Sequence, residues 1–356
     1  MKATFVRNMK RAVGAGLICA ALAAPVAAQP SVQFYGLIDV WTGAQRHPGG
    51  QTSWLVSGGG MSTSYLGVKG DDDFGDGYKG VFAVEAFFRP QNGAYGRFEG
   101  DTLFARDAYL GVESPYGTLT AGRFTTSLFI STIVFNPFAD SYVFSPMIYH
   151  TYLGLGTFPN YVTDHGVVGD SGWSNAVQYA TPSFNGLTGT FTYGAGNETH
   201  NNGSKKWSAQ FMYANGAFAA TGVHQYTNFS DKPSDLGQLV PGMTSQRADQ
   251  FGASYDLHYA KFFAQYMYVD NRDVEQNWHV QTGQLGVSVP VGKGSVLASY
   301  AYSHDSGGLS QTRRTWALGY DYPITKRADV YIAYLNDDIN DQSSGYTVGV
   351  GARFKF

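Results

Sequence analysis

The chain has 356 residues, among them 45 glycines, 25 tyrosines and 24 phenylalanines, and only 14% of its residues are charged. This composition favours many short strands joined by glycine-rich turns. The net charge of −3 and the single cysteine disfavour a basic nucleic-acid binder and leave no paired thiols for a disulfide or a zinc site.

Residues 1–28 are predicted to be a secretory signal peptide that is cleaved. Four basic residues precede an alanine-rich apolar run at 12–24, and the small residues 26–28 offer a cleavage site. A membrane anchor is the alternative, but the run is too short and ends at Pro25. Cleavage would remove Cys19 and leave 20 basic against 27 acidic residues, a net charge of −7.

The remaining residues, 29–356, are predicted to form one domain of strands with alternating faces. In the segment 187–193, Leu, Gly, Phe and Tyr occupy one parity and threonines the other. Similar runs of about ten residues, the length of a tilted strand that crosses a bilayer, recur along the chain. Their apolar faces repeatedly end in Tyr or Trp, as in an aromatic belt at a membrane interface. No run of 18 apolar residues predicts a transmembrane helix.

Sixteen strands are predicted, and short turns alternate with longer polar links between them. Short turns on one side and long loops on the other are typical of outer-membrane β-barrels. An even number of strands places both chain ends on the short-turn side. The predicted strands begin near Val32, Thr63, Tyr78, Leu103, Gly117, Trp173, Leu187, Lys206, Ala217, Arg247, Ala260, His279, Gly294, Arg313, Ala328 and Gly345.

The last strand ends on Phe356 and is predicted to pair with the first, near residues 32–40. In lipid every backbone N–H and C=O group needs an internal partner, which a sheet achieves only by closing on itself. The predicted fold class is therefore an all-β, transmembrane antiparallel β-barrel. A soluble β-sandwich or solenoid is the alternative, but it leaves the alternation of short and long links unexplained.

The polar face of each predicted strand is expected to line the interior of the barrel. Sixteen strands leave room for a water-filled channel. The longest link, 125–172, is too aromatic for exposure to water, so we expect it to fold into the lumen and narrow it. A surface contact with another subunit or partner is the alternative for this loop. The predicted interior charges include Lys79, Glu85, Lys261, Arg313, Asp321 and Arg353.

A narrow opening lined by opposed charges would sort solutes by their charge. Arg106, which we place mid-strand in LFARDAYLGVE, is the candidate on the wall, and Asp140 and Asp164 are the acidic candidates on the loop. For each of these residues, an ordinary solvated position in the lumen is the alternative.

The chain contains the segments SYLGVKGDDDFGDGYKGVFAVEAFF, FARDAYLGVESPYGTLTAGRF, NAVQYATPSFNGLTGTFTYG and the terminal ARFKF. These segments resemble the general porins of Gram-negative outer membranes, the homotrimeric, sixteen-stranded type. The resemblance spans nearly the whole chain after residue 28. It implies an outer-membrane homotrimer whose third loop enters the lumen, with acidic residues that face wall arginines. It places Arg106 at the wall and Asp140 on the acidic side.

Three features depart from the family pattern. The family commonly has an arginine just before LGxKG, where this chain has Tyr65, and another three residues before the Asn of NAVQY, where it has Gly172. In the loop, NPFADS replaces the usual Pro-Glu-Phe-Gly form. We therefore expect a constriction that is more aromatic and less charged, without a clear anion preference. The predicted constriction residues are Arg106, Asp140, Asp164, Tyr65, Glu85 and Lys79.

The end of the chain has a separate prediction. In the family, alternating aromatics that end on a final Phe imply a recognition signal for the barrel insertion machinery. Phe356, together with Phe354, is therefore predicted to act in assembly rather than in transport.

The predicted function is passive diffusion of small hydrophilic solutes and ions through an outer-membrane channel, not catalysis. An outer-membrane hydrolase is the enzyme alternative, but none of the eight histidines stands in a GxSxG or HExxH context. A non-conducting adhesin or structural barrel is the other alternative. The DDDFGDG turn lacks the ligand spacing of an EF-hand, so neither a metal nor another cofactor is expected.

Overall fold

The computed structural model describes residues 31–153, 166–196, 205–229, 242–307 and 310–356. The predicted signal peptide lies outside these residues. No helix within them is long and apolar enough to cross a membrane. The strands are β1 (Ser31–Arg46), β2 (Ser53–Gly58), β3 (Tyr65–Gly75), β4 (Tyr78–Arg89), β5 (Ala94–Tyr95), β6 (Ala108–Ser114), β7 (Gly117–Thr125), β8 (Gly172–Ala180), β9 (Leu187–Gly194), β10 (Lys206–Asn215), β11 (Phe218–Asn228), β12 (Met243–Asp256), β13 (Lys261–Asp273), β14 (Trp278–Val291), β15 (Gly294–Ser306), β16 (Thr312–Pro323), β17 (Ala328–Ile339) and β18 (Gly345–Lys355). The helices are α1 (Ser127–Val134) and α2 (Pro146–Tyr152).

The strands close into one antiparallel barrel. Each wall strand pairs with the next along the chain, and β1 pairs with β18 over ten registered positions, from Leu37 opposite Lys355 to Arg46 opposite Tyr346. Closure gives the edge strands backbone partners, which is the condition for a sheet surrounded by lipid. The predicted pairing of the first and last strands is confirmed.

Two of the wall strands are broken. β1 pairs along its length with both β2 and β3, and β4 pairs with both β5 and β6, so the eighteen strands make sixteen crossings of the wall. The breaks lie at residues 59–64 and 96–107. The prediction that the fourth strand begins near Leu103 is wrong, because β6 begins at Ala108. Within the second break, the guanidinium group of Arg97 forms an ion pair of 2.8 Å with Asp101.

The two faces of the wall differ as the alternation predicts. In β10, Trp207 and Phe211 are exposed on the outer face, whereas Ser208 and Gln210 are buried on the inner face. In β15, Tyr300 is exposed and its neighbour Ala301 is fully buried. The aromatic residues therefore face outwards, where lipid would cover them, and the small polar residues face the lumen.

The long link after β7 folds into the lumen, so the alternative of a surface loop is excluded for its described part. We call residues 126–153 the lumen loop. Thr126 caps α1 by accepting a hydrogen bond from the N–H group of Phe129, and Ser145 caps α2 in the same way. Because the loop lies against the inner wall, its side chains Phe135, Phe138 and Phe144 have no exposed surface.

Glycines of the inner wall make room for the loop. A Cβ atom at Gly252 would lie 3.0 Å from the ring of Phe135, and one at Gly286 would lie 2.7 Å from Pro137. At Gly319 it would lie 3.1 Å from the ring of Phe138. All three distances are shorter than ordinary van der Waals contacts of a Cβ atom, so the wall and the loop fit each other closely.

Candidate pore constriction

The wall side of the candidate constriction is built around Arg106. This residue lies in the second strand break, so its predicted mid-strand position is wrong. Its guanidinium group forms an ion pair with Glu85 of β4 and lies 4.0 Å from the ring centroid of Tyr65. Tyr35 donates a hydrogen bond to the same carboxylate. The structure thus brings together three of the predicted constriction residues, Tyr65, Glu85 and Arg106.

The loop side of the candidate constriction carries Asp140. Its carboxylate accepts a hydrogen bond of 2.8 Å from the hydroxyl group of Ser62, which belongs to the first strand break. Burial raises the pKa of Asp140 above its usual value, while the hydrogen bond from Ser62 and the charges of Arg106 and Arg353 oppose that rise. Asp140, the fourth of the predicted constriction residues, therefore lies close enough to Arg106 and Arg353 for their charges to affect its pKa.

Asp39 holds the first strand break in place, and the sequence prediction missed it. Its carboxylate is fully buried and accepts hydrogen bonds of 3.1, 2.8 and 2.9 Å from the backbone N–H groups of Gly60, Met61 and Ser62. Tyr331 also donates to it. The signal in the sequence was a lone carboxylate within the apolar segment GLIDVW, on the inward parity. Asp39 therefore fixes the segment to which the lumen loop docks.

Arg353 extends the charged lining beside Asp140. Its guanidinium group binds Asp329 and Asp321, each at 3.0 Å, and donates a hydrogen bond of 3.3 Å to Ser62. The prediction placed Arg353 and Asp321 on the inward face, which the structure confirms. Both arginines near the constriction are therefore paired with carboxylates.

A second ionic cluster anchors the base of the lumen loop. Asp170, which precedes β8, binds both Arg97 and Arg123, and Arg97 also binds Asp101. A Cβ atom at Gly172 would lie 3.0 Å from the guanidinium group of Arg123. A side chain at position 172 would therefore crowd the guanidinium group of Arg123.

The remaining predicted site residues lie elsewhere. Lys79 stands at the short-turn end of β4, opposite Asp73 and Glu113, about 20 Å along the strand from Glu85 at about 3.3 Å per residue. The structure does not bring it together with the others. Asp164 lies outside the described residues.

The predicted assembly residues stand at the seam of the barrel. Phe354 is 48% exposed on the outer face, and the ring of Phe356 lies 5.5 Å from that of Phe34. The backbone of Phe356 exchanges two hydrogen bonds of 3.1 Å with Gly36. Phe356 therefore belongs to the pairing that closes the barrel.

Comparison with known proteins identifies the family. The family model described as Gram-negative porin matches residues 15–342. The chain belongs to the Gram-negative porin family. This porin is 26% identical over 357 residues to the major outer membrane protein P.IB of Neisseria meningitidis serogroup A, an alignment that covers 96% of this chain and 99% of the relative. It is also 26% identical to outer membrane porin protein 32 of Delftia acidovorans, covering 92% and 90% of the two chains.

Solved structures show the same fold. An anion-selective porin from Comamonas acidovorans superposes on this porin with a TM-score of 0.75 and 20% identity, covering 92% of this chain and all of that one. A trimer form of OmpT from Vibrio cholerae gives a TM-score of 0.66 at 15% identity and covers 92% and 99% of the chains. This porin is therefore a sixteen-stranded channel barrel of the Gram-negative outer membrane, as the sequence predicts.

Proposed function

We propose that this porin carries small hydrophilic solutes and ions by passive diffusion past a constriction formed by Tyr65, Glu85, Arg106 and Asp140, with Arg353 beside it. One observation supports this proposal above all. The lumen loop reaches the wall at Ser62, and charged and aromatic side chains lie on both sides of that contact. An opening narrowed in this way would admit solutes by size and sort them by charge.

The charge balance favours cations weakly. Arg106 and Arg353 are each paired, and the carboxylates of Glu85, Asp140 and Asp321 outnumber these two arginines. A paired arginine offers little attraction to a passing anion, because its field is cancelled nearby. We therefore propose a weak cation preference for this chain, in contrast to the anion selectivity named for the Comamonas structure.

A liposome swelling assay tests the diffusion proposal. Purified protein in liposomes should admit small neutral sugars at rates that fall steeply as the sugars grow. Empty liposomes are the control. Swelling that does not depend on solute size would contradict a single narrow constriction.

We further propose that the chain assembles as a homotrimer after signal cleavage near residue 28. The apolar side chains Phe98, Leu103 and Phe104 of the second strand break are 57%, 51% and 46% exposed, and they offer a contact for a neighbouring copy. Replacing Phe98 and Phe104 together by Ser should convert the trimer to monomers on unheated detergent gels. Trimers that persist would exclude this segment as the main contact.

A catalytic or adhesive role would need a different result. The relatives named above are porins, which are channels. In the part of the chain that the structure describes, no three metal-ligating side chains come together. Hydrolysis of phospholipid or peptide by the purified protein, lost on substitution of one histidine, would support the hydrolase alternative. A folded barrel that does not conduct would support the adhesin.

A further inference from the structure

The surface that the lumen loop presents to the open channel is almost entirely apolar. In α1, Leu128, Ser131 and Thr132 are buried, and the helix packs on β10, β11 and β12. Ile130 and Val134, by contrast, keep exposed surface, which reaches 43% at Val134. Because the barrel encloses the loop, this exposed surface meets the water of the channel.

Charged groups are nearly absent from this side of the channel. Within residues 126–153, Asp140 and His150 are the acidic or basic residues other than tyrosine. His150 is 1% exposed, and Asp140 already accepts the hydrogen bond from Ser62. Helix α1 carries no acidic residue in its first turn and no basic residue in its last. The described part of the loop therefore offers passing solutes mainly hydrocarbon.

The opposite wall adds aromatic surface rather than free charge. The ring of Tyr65 lies against Arg106, whose charge is paired with Glu85. The ring of Tyr109 lies 5.4 Å from that of Phe124 on the inner side of β6 and β7. A solute that crosses the channel therefore passes an apolar strip on the loop, and tyrosine rings with paired ions on the wall.

We propose that this channel favours small solutes that carry an apolar side group, such as zwitterionic amino acids with aliphatic or aromatic side chains, over solutes of equal size that are polar throughout. The inference rests on the proposed channel function. Water beside an apolar strip loses hydrogen-bonding partners, so a side group that displaces it lowers the free energy. The charged ends of the same solute remain hydrated or face the ion pairs of the wall.

Influx into proteoliposomes tests this inference with matched solutes. L-Leucine and L-asparagine have nearly the same mass and no net charge at pH 7. At low concentration the flux of each solute follows its partition into the constriction, so leucine should enter about three- to fivefold faster than asparagine through the wild-type protein. Influx into empty liposomes is subtracted from both rates. Equal rates for the two amino acids would overturn the inference.

Two double variants locate the effect. Ile130→Thr with Val134→Thr keeps β-branched side chains but adds hydroxyl groups to the strip. Its ratio of leucine to asparagine influx should fall towards one. The matched control, Ile130→Val with Val134→Ile, keeps the strip apolar and should keep the wild-type ratio. An unchanged ratio in the threonine variant would also contradict the inference.

Potassium chloride conductance separates this inference from the channel function itself. If the protein conducts salt but does not discriminate between the amino acids, the apolar strip plays no part in selection and the channel function stands. If the folded protein neither conducts salt nor admits either amino acid, the channel function fails and the inference fails with it.

Discussion

At the scale of single residues, the proposed constriction depends on the ion pair between Glu85 and Arg106. The side chain of Glu85 is 5% exposed and that of Arg106 is 31% exposed. A carboxylate so deeply buried needs its cation, because loss of one partner from a buried pair costs about 3 kcal/mol or more. In the proposed constriction, a substitution of Arg106 should therefore change both the stability of the wall and the electric field of the opening.

Replacement of Arg106 by Gln should make the channel more selective for cations. The change removes a positive charge from the opening, so the ratio of cation to anion permeability should rise about twofold. The reversal potential of single channels in a salt gradient measures this ratio. Lys79→Gln, an equal charge change at the far end of β4, is the control and should shift the potential much less. An unchanged reversal potential in the Arg106 variant would remove Arg106 from the constriction.

Asp140 should make selectivity depend on pH. Because burial raises its pKa, Asp140 takes up a proton at a higher pH than an ordinary aspartate, for which the pKa is about 3.9. The cation preference should therefore fall as the pH drops from 7 towards that raised pKa. The docked loop binds this proton more tightly than an exposed carboxyl group would, so acid does not weaken the contact with Ser62 through this residue.

Asp140→Asn is the matched variant for this titration. It should show the lower cation preference already at pH 7, and its reversal potential should vary less between pH 7 and 4. A variant that titrates like the wild type would show that another group carries the pH dependence.

At the scale of elements, the lumen loop is held at three places: at its start by Ser171, at Asp140 by Ser62, and near α2 by Arg313. Near α2, Arg313 donates to the carbonyl oxygen of Tyr149 and binds Asp337. His150 shares a hydrogen bond of 2.8 Å with Thr315. Burial, with a smaller contribution from Arg313, lowers the pKa of His150 to about 3, so this imidazole is neutral at physiological pH. The loop is thus a fixed part of the channel.

Gly60→Ala should loosen the contact between the lumen loop and the first strand break, which contains both Gly60 and Ser62. A Cβ atom at Gly60 would lie 2.0 Å from the hydroxyl oxygen of Tyr331, so either Tyr331 or the first strand break must move. Such overpacking costs about 2 kcal/mol. The folded band on unheated detergent gels should disappear at a lower temperature, and the single-channel current should become noisier. Gly283→Ala, where no atom lies within 4 Å of the added Cβ, is the control. Equal heat stability of the two variants would contradict this role for Gly60.

The regular wall could be predicted from the sequence, whereas the strand breaks could not. The alternation of faces is encoded residue by residue, so strands such as β9 and β15 begin where the sequence predicts. The breaks depend on residues far apart in the chain, for example Asp39 and Tyr331. For the same reason Arg106 was predicted at the constriction but in the wrong local structure, and Lys79 was placed in a group it does not join.

At the scale of the whole molecule, the barrel exists only if its seam closes. The final residue contributes to that seam, because the backbone of Phe356 pairs with Gly36. Deletion of Phe356 therefore removes two backbone hydrogen bonds as well as the predicted assembly signal.

Two changes at Phe356 separate these contributions. If the insertion machinery recognises the aromatic ring, deletion of Phe356 and the substitution Phe356→Ala should both lower the amount of heat-modifiable protein in the outer membrane by about tenfold. The backbone hydrogen bonds that only the deletion removes contribute about 1 kcal/mol each. Quantified gel bands of membrane fractions give the result. Normal assembly of the Ala variant would show that the ring is not the signal.

The central claim is that the sixteen crossings enclose an aqueous path that the lumen loop narrows but does not close. Current across a planar lipid bilayer tests it most directly. Folded, heat-modifiable protein added at low concentration should produce stepwise increases in conductance that scale with the conductivity of the salt solution. A bilayer that stays electrically silent after the same protein has inserted would contradict the account.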